Sequence, residues 1–385
     1  MMHLVLRVWR DHPRSTVGVL AVMVIAIATL GAATVGPAAP SPSPSPSPTE
    51  IAASPGPTAP SPSPLVTPSP SPSPSPSPTP EVFYAALDGM PTTAELATRI
   101  PTAVMIDDNI PARPQSGFTQ ASIVYHAPAD GGETRYMFVY QENDAPVIGP
   151  VRSARPYFVR WAAEYRSVFA HYGGDRMSWE LVGQIDRKLV FSLNALSGAG
   201  GAYYRVKWRV APHNAYTSSD RLDRLADRRD FPSEMLPGLG GRIFQDDAPE
   251  AERPAKAFIR IPYRTGRIDY SYDQASNSYR RSIAGKAQFD AETEERVSAR
   301  NVIVLWIRLT IDSKIEPGYH RPVFHVVGKG KAIVFRDGQA IRGTWVKDDD
   351  GDLTRIVDES GDQIPLVRGP IYIQVVPLDT DVDYG

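Results

Sequence analysis

The stretch TAVMIDDNIPARPQSGFTQASIVYHAPADGGETRYMFVY, residues 102–140, decides the fold. Residues 102–106 are a short apolar run with a β-branched bias, which reads as a buried strand ending at Asp107, Asp108 and Asn109. Residues 122–125 and 134–140 read as two more strands, with a turn signal at Asp130-Gly131-Gly132 between them. Downstream, IGPVRSARPYFV (148–159) and FAHYGG (169–174) bring further arginines, glycines and a histidine to the ends of apolar runs. Residues 153–170 have helical spacing, with Phe158, Trp161, Ala162, Tyr165 and Phe169 on one face, and their last residues suit a strand. Residues 176–188 predict a second helix, and Ser219-Asp220 can cap a third through Leu222, Leu225 and Ala226. Strands alternating with helices predict an α/β domain over residues 81–240.

From residue 241 to 385 the pattern turns β-rich. Residues 257–263 alternate apolar and polar, and Tyr270, Tyr272 and Tyr279 flank a turn at Asn277-Ser278. Residues 301–310 (NVIVLWIRLT) suit a central strand, and 371–376 a last one. Residues 323–327 and 332–335 predict a hairpin turning at Gly328-Lys329-Gly330, and Asp337-Gly338 marks another turn. The acidic run 348–352 lacks the glycine of an EF-hand loop and reads as a solvated hairpin tip. The expectation is a β-sandwich or barrel-like domain for binding or support.

Ahead of these domains, Arg7, Arg10, His12 and Arg14 precede an uncharged apolar run at 17–35. At 1.5 Å per residue it reaches roughly 28 Å, close to a bilayer's hydrocarbon core. Residues 1–36 therefore read as a cytoplasmic tip and a single-pass transmembrane anchor, with a cleaved secretory signal as the competing reading. Either way the rest lies outside the cytoplasm, a secreted protein if cleavage occurs. Residues 37–80 are mostly Ser-Pro and Thr-Pro repeats, which exclude helix and sheet and predict a disordered polyproline-II linker. It reads as a reach into a cell wall or as a solubilising, O-glycosylated spacer. The chain carries 41 Lys+Arg against 43 Asp+Glu, so no overall basic field points to nucleic acid. It has no cysteine, which excludes disulfides, thiolate metal sites and a cysteine nucleophile.

The chemistry gathers at strand ends, where loops are held by a sheet yet face solvent. Arg113, Arg135, Arg152, Arg155 and Arg209 sit beside Gly, Pro or a strand end. A guanidinium fork binds phosphate or carboxylate with two parallel hydrogen bonds. Gly149-Pro150 ahead of Arg152 and Ser153 adds a hydroxyl near a helix start. The candidate anion site gathers these five arginines with Gln115, Ser116, Ser153, His171, Gly173, Gly174, His213 and Asn214. The plainer reading is that these arginines pair with Asp107, Asp108, Asp130 and Glu133 or cap carbonyls. Asp107 and Asp108 could hold Mg²⁺ for a phosphate substrate, with Asp107 the candidate ligand. His171 is the best-placed base or phosphate donor and His213 the second. No GxSxG, SxxK, HExxH, P-loop or dinucleotide fingerprint is present.

On these residues the globular part resembles the YerB-like family, a two-domain bacterial family of unknown function. The matching segments are VMID (104–107), ARPQSG (112–117), Gly131-Gly132, Thr134-Arg135, IGPVRSARPY (148–157), His171, Gly173-Gly174 and APHN (211–214). In the second domain they are NVIV (301–304), Asp337-Gly338, GTW (343–345) and IQVVP (373–377). Members are often lipoproteins; without a cysteine, this chain's anchor would be the helix. Relatives tend to carry an acid where Ser122, His126 and Asp130 stand, and only Asp130 keeps one. The first domain is also similar, more weakly, to the LytR–CpsA–Psr phosphotransferases, membrane-anchored enzymes that attach lipid-pyrophosphate-linked glycopolymers to peptidoglycan with arginines and Mg²⁺. Arg152 and Gly173-Gly174 match that family, and Ser122 stands in place of its acidic metal ligand. The expectation is a tethered extracytoplasmic protein that binds an anionic envelope component, a cell-wall glycopolymer or lipid-linked ligand, through its arginines. The alternative is a Mg-dependent phosphotransferase or hydrolase acting on such polymers.

Overall fold

The computed structural model describes residues 81–236, 241–313 and 318–385. The described residues from 81 to 385 belong to one compact unit. The apolar run at 17–35 and the linker at 37–80 lie outside the described residues. Among the described residues no helix is long and apolar enough to cross a membrane.

The first half supplies strands Thr102–Asp107 (β1), Ile123–Pro128 (β2), Thr134–Tyr140 (β3), Val168–His171 (β4) and Phe191–Asn194 (β5). The second supplies Phe258–Ile261 (β6), Ile268–Asp273 (β7), Ser278–Ile283 (β8), Asn301–Trp306 (β9), Gly328–Arg336 (β10), Gln339–Lys347 (β11), Arg355–Val357 (β12) and Ile371–Val376 (β13). Ten of these make one mixed sheet in the order β12-β11-β10-β9-β13-β2-β3-β1-β4-β5. The halves meet where β13 pairs in parallel with β2, from Ile371 opposite Ile123 to Gln374 opposite His126.

Each central strand is buried on both faces, which its near-continuous apolar sequence requires. In β9, Val302, Val304 and Trp306 face one core and Ile303 and Leu305 the other; in β1, Val104 and Ile106 oppose Ala103 and Met105 in the same way. A second antiparallel sheet built on β6, β7 and β8 covers the first face, packing Ile259, Ile261, Tyr270 and Tyr279 into a core with Val302, Val304 and Tyr372. Helix Pro156–Ala163 (α1) covers the other with Tyr157, Phe158 and Trp161 against Met105, Tyr125 and Phe169. Proline at its first turn suits a helix start, and the chain leaves it through Arg166 at φ 45° to enter β4.

The β-rich character of the second half is as expected, but it closes neither a sandwich nor a barrel of its own. Five of its strands extend the first half's sheet, and β6, β7 and β8 form the second sheet that covers one face of it. Two local expectations also change. Gly328-Lys329-Gly330 is not a turn: β10 runs through it, and residues 321–324 pair with 309–312 instead. A Cβ at Gly330 would lie 2.6 Å from Trp345 Nε1, so the glycine permits a close packing that sequence alone reads as a turn. The acidic tip at 348–352 is tied down, with Asp350 paired to Arg160. Helix Arg176–Ile185 (α2) forms as expected behind an Asp175 cap. Helix Ser219–Asp227 (α3) is capped one residue earlier than expected, by Ser218.

Candidate functional site

Residues 151–154 lie along the loop after β4. Tyr172 N–H donates to Arg152 O at 2.9 Å, and Ala154 N–H to Gly173 O at 2.9 Å. Ala154 bridges Gly174, and Ser116 bridges Gly149 through paired backbone hydrogen bonds. The loops carrying Arg113, Gly149 and His213 each contain a cis X-Pro bond. The segments flagged in sequence thus share one end of the sheet, where three polar clusters form.

The first cluster centres on Asp130, in the turn between β2 and β3. Arg155 donates Nε to Asp130 Oδ1 at 3.1 Å and pairs with its other oxygen through Nη2. Arg135 approaches the same carboxylate at 3.5 Å and Arg321 at 3.1 Å. Arg155 also faces Asp175 at 3.3 Å, and Arg135 donates to Ser153 O at 2.7 Å. Partial burial opposes the charged form of Asp130, but the Arg155 hydrogen bond and the three arginine charges outweigh it and lower its pKa. Burial, then the neighbouring Arg155 charge, lowers Arg135 to about 10, so it stays a cation at neutral pH. Arg321 was missed in sequence, where nothing ties its segment to a turn near residue 130.

The second cluster holds Asp107 and Asp108, both fully buried at the end of β1. Asp107 Oδ1 accepts from Asn109 N and Nδ2 at 3.1 and 2.8 Å. Asp107 Oδ2 faces His213 Nδ1 at 2.7 Å and Arg152 Nε at 3.3 Å. Asp108 accepts from Arg113 Nε at 2.9 Å, Gln115 Nε2 at 3.2 Å, His126 Nε2 at 3.1 Å and the Thr134 hydroxyl. Burial opposes its ionisation, but the His126 hydrogen bond and the Arg113 charge prevail and hold its carboxyl well below the usual range. Burial lowers the His126 pKa, while its Nε2 donates to the Asp108 carboxylate and its Nδ1 lies 3.0 Å from Gln374 Oε1. Beyond it lies Arg281, fully buried, whose Nη2 is 3.3 Å from His126 Nδ1.

This donor set does not suit the expected Mg²⁺ at Asp107. Both carboxylate oxygens face N–H donors and a guanidinium, and a hard cation needs several oxygen ligands instead. Among the described residues no group of three or more His, Asp or Glu side chains is placed to hold a metal. Arg209 serves the loops: it donates to Pro111 O and Pro114 O and lies over Trp208. Asn214 does the same, donating to Val206 O at 3.2 Å. The buried Ser116 ties its loop to Gly149 through the backbone.

The third cluster is at His171, which is buried. Its Nδ1 is 2.7 Å from Gly173 O and its Nε2 3.1 Å from Ser192 Oγ, beside a cavity of about 310 Å³ lined by Trp179, Asn194 and Arg229. Burial lowers His171 to about 4, so the ring is neutral, with Nδ1–H donating to the carbonyl and Nε2 accepting from Ser192. That basicity is low for a general base at neutral pH, and the ring's orienting partner is a carbonyl rather than a carboxylate. Ser192 was not singled out in sequence; its strand position, diagonal to His171 across the parallel β4–β5 pair, is the only signal.

Residues 87–232 match the family profile "Protein of unknown function (DUF3048) N-terminal domain", and residues 259–373 match the corresponding C-terminal domain. The chain is 29% identical over 304 residues to "Putative lipoprotein YerB" of Bacillus subtilis (strain 168), across 76% of this chain and 86% of that protein. The crystal structure of YerB from Bacillus subtilis superposes with a TM-score of 0.68 at 28% identity, covering 78% of this chain and 99% of that one.

Proposed function

This chain belongs to the YerB-like two-domain family, and from that premise we propose that it is a membrane-associated extracytoplasmic protein whose arginine cluster captures an anionic group of the cell envelope. The relative's description as a lipoprotein favours the membrane, and the apolar run at 17–35 is this chain's own means of tethering. The observation that carries the binding reading is the convergence of Arg135, Arg155 and Arg321 on the single carboxylate of Asp130, with Arg152 on the adjoining loop. The Asp130 side chain they share is 28% exposed, so these guanidinium groups lie within reach of solvent. Guanidinium groups gathered at a partly exposed place favour a further anion. Asp130 sits on a turn whose Gly131 and Gly132 have φ of 65° and 79°. Glycines adopt that backbone at low cost, and the turn holds the Asp130 carboxylate among the arginines.

The test is equilibrium binding of residues 76–385 to a poly(glycerol phosphate) and to a neutral glucan at low and moderate salt. Binding to the phosphate polymer alone, weakening with salt, is the expected result. Arg152→Ala, the arginine least committed to internal hydrogen bonds, should weaken it about tenfold with little change in melting temperature. Asp130→Asn removes the internal competitor and should tighten it. No binding by the wild type at low salt, or equal binding to the neutral glucan, overturns the reading.

A further inference from the structure

A second concave site lies where the loop at 110–115 meets the hairpin end at 283–289. Its volume is about 620 Å³, twice that of the cavity beside His171 and within the range of small-molecule sites. Its walls are mostly apolar. Ile110 and Phe289, at 75% and 47% exposure, bring two large apolar side chains together on this lining. The exposed Pro114 and Ala287 and the half-buried Ile283 complete the apolar wall.

The polar part of the lining is one-signed. Arg113 and Lys286 are cations, and among the described residues no carboxylate lines the cavity. Arg113 Nε is spent on Asp108, but its Nη2 is buried without a hydrogen-bond partner. A buried guanidinium N–H left unpaired is costly, and a bound acceptor would remove that cost. The floor is formed by Gln115 and Gln288, whose amides approach each other at 3.5 Å. Behind them Gln115 Nε2 donates to Asp108, and Gln288 Oε1 accepts from Arg281. Among the described residues Arg281 has no carboxylate in salt-bridge range, so a second positive charge stands behind the floor. Arg113, Arg281 and Lys286 are thus three cations gathered around the one carboxylate of Asp108.

We infer that this cavity binds a small amphiphile, with a carboxylate or phosphate head held by Arg113 and Lys286 and an apolar body packed against Ile110, Ile283 and Phe289. The inference does not rest on the arginine cluster at Asp130, which uses other residues. An uncharged apolar ligand would leave Arg113 Nη2 unpaired, and a free anion would leave the apolar walls wet. Only a molecule with both parts satisfies the site.

Titration calorimetry of residues 76–385 with octyl phosphate, octanoate, octanol and inorganic phosphate tests it. At least one octyl anion should bind, at least about tenfold more tightly than octanol or inorganic phosphate, the factor expected of a charge-assisted hydrogen bond. A preference for octyl phosphate points to phosphorylated lipids, and one for octanoate to fatty acids; both support the site. Lys286→Gln, at an exposed strand position, should weaken the octyl anions about fivefold and leave octanol unchanged. Ala287→Phe, also at an exposed position, should fill the cavity and abolish binding without lowering the melting temperature. Arg152→Ala and Asp130→Asn should leave octyl binding intact, so failure of the polymer-binding proposal reads separately. Octanol binding as tightly as the octyl anions, inorganic phosphate matching octyl phosphate, or no octyl ligand binding at all overturns the inference.

Discussion

Asp88 neighbours Glu142, whose carboxylate accepts from the Ser122 hydroxyl at 2.8 Å. Burial first, then the Glu142 charge, raises the Asp88 pKa from 3.8 to about 8. A carboxyl raised in the folded state contributes stability that is fully present below its unfolded pKa. That stability is lost as pH rises through the folded one, at up to about 1.4 kcal/mol per pH unit. Asp88→Asn cannot ionise. Its urea midpoint should therefore gain on the wild type steadily between pH 5 and pH 8, and a gap that stays constant over that window would show Asp88 already charged. Nothing around Asp88 in the sequence announces this, because the neighbour that shifts it comes from another loop. The same limit explains which cations could be recognised. Arg113, Arg135, Arg152 and Arg155 are conspicuous at strand ends, and the structure sets them among Asp107, Asp108, Asp130 and Asp175, largely as the plainer sequence reading had it. Arg281 meets His126 across 155 residues, a partner no local spacing can suggest.

Among the elements, the turn after Phe289 acts as a clamp on the first half. Asp290 Oδ2 accepts from Gly117 N at 2.8 Å and Thr119 N at 3.3 Å, and also from Phe118 N, while Oδ1 holds Glu292 N at 2.8 Å. Asp290→Ala would strand these N–H groups, of which those of Gly117 and Phe118 are buried. At about 1–3 kcal/mol for each one left unsatisfied, the variant should lose on the order of 3–5 kcal/mol in urea unfolding. A loss below about 1 kcal/mol would mean that water replaces the carboxylate. Strands are the best-read elements here, since β3 spans the residues expected of it and β9 the first six of its ten. Their apolar runs are set by burial on two faces, a local property of sequence. The stretch around Gly330 was misread because a glycine that makes room for Trp345 looks the same in sequence as one that makes a turn.

At the scale of the molecule, the two halves are legible as different textures of sequence, but their union is not. Register between β2 and β13 depends on residues some 250 apart (Ile123 and Ile371), and apolar runs do not say which strand they will pair with. Residues 81–240 alone would expose the whole edge of β2 and the core face that Ile259, Tyr270 and Tyr279 cover. That fragment should aggregate or stay unfolded, whereas residues 76–385 should melt in a single transition. A soluble, cooperatively melting 81–240 fragment would contradict the shared sheet. The placement of β13 also has a bearing on timing. Every other strand of the large sheet precedes it in the chain, yet it lies between β9 and β2, near the middle. Until residue 376 has emerged, the sheet has a gap that no earlier segment fills, and the costly long-range closure must wait. Were the chain exported unfolded, as the proposed extracytoplasmic role requires, that delay would be useful: the polypeptide would stay slack in passage, and the piece that locks the sheet would arrive last.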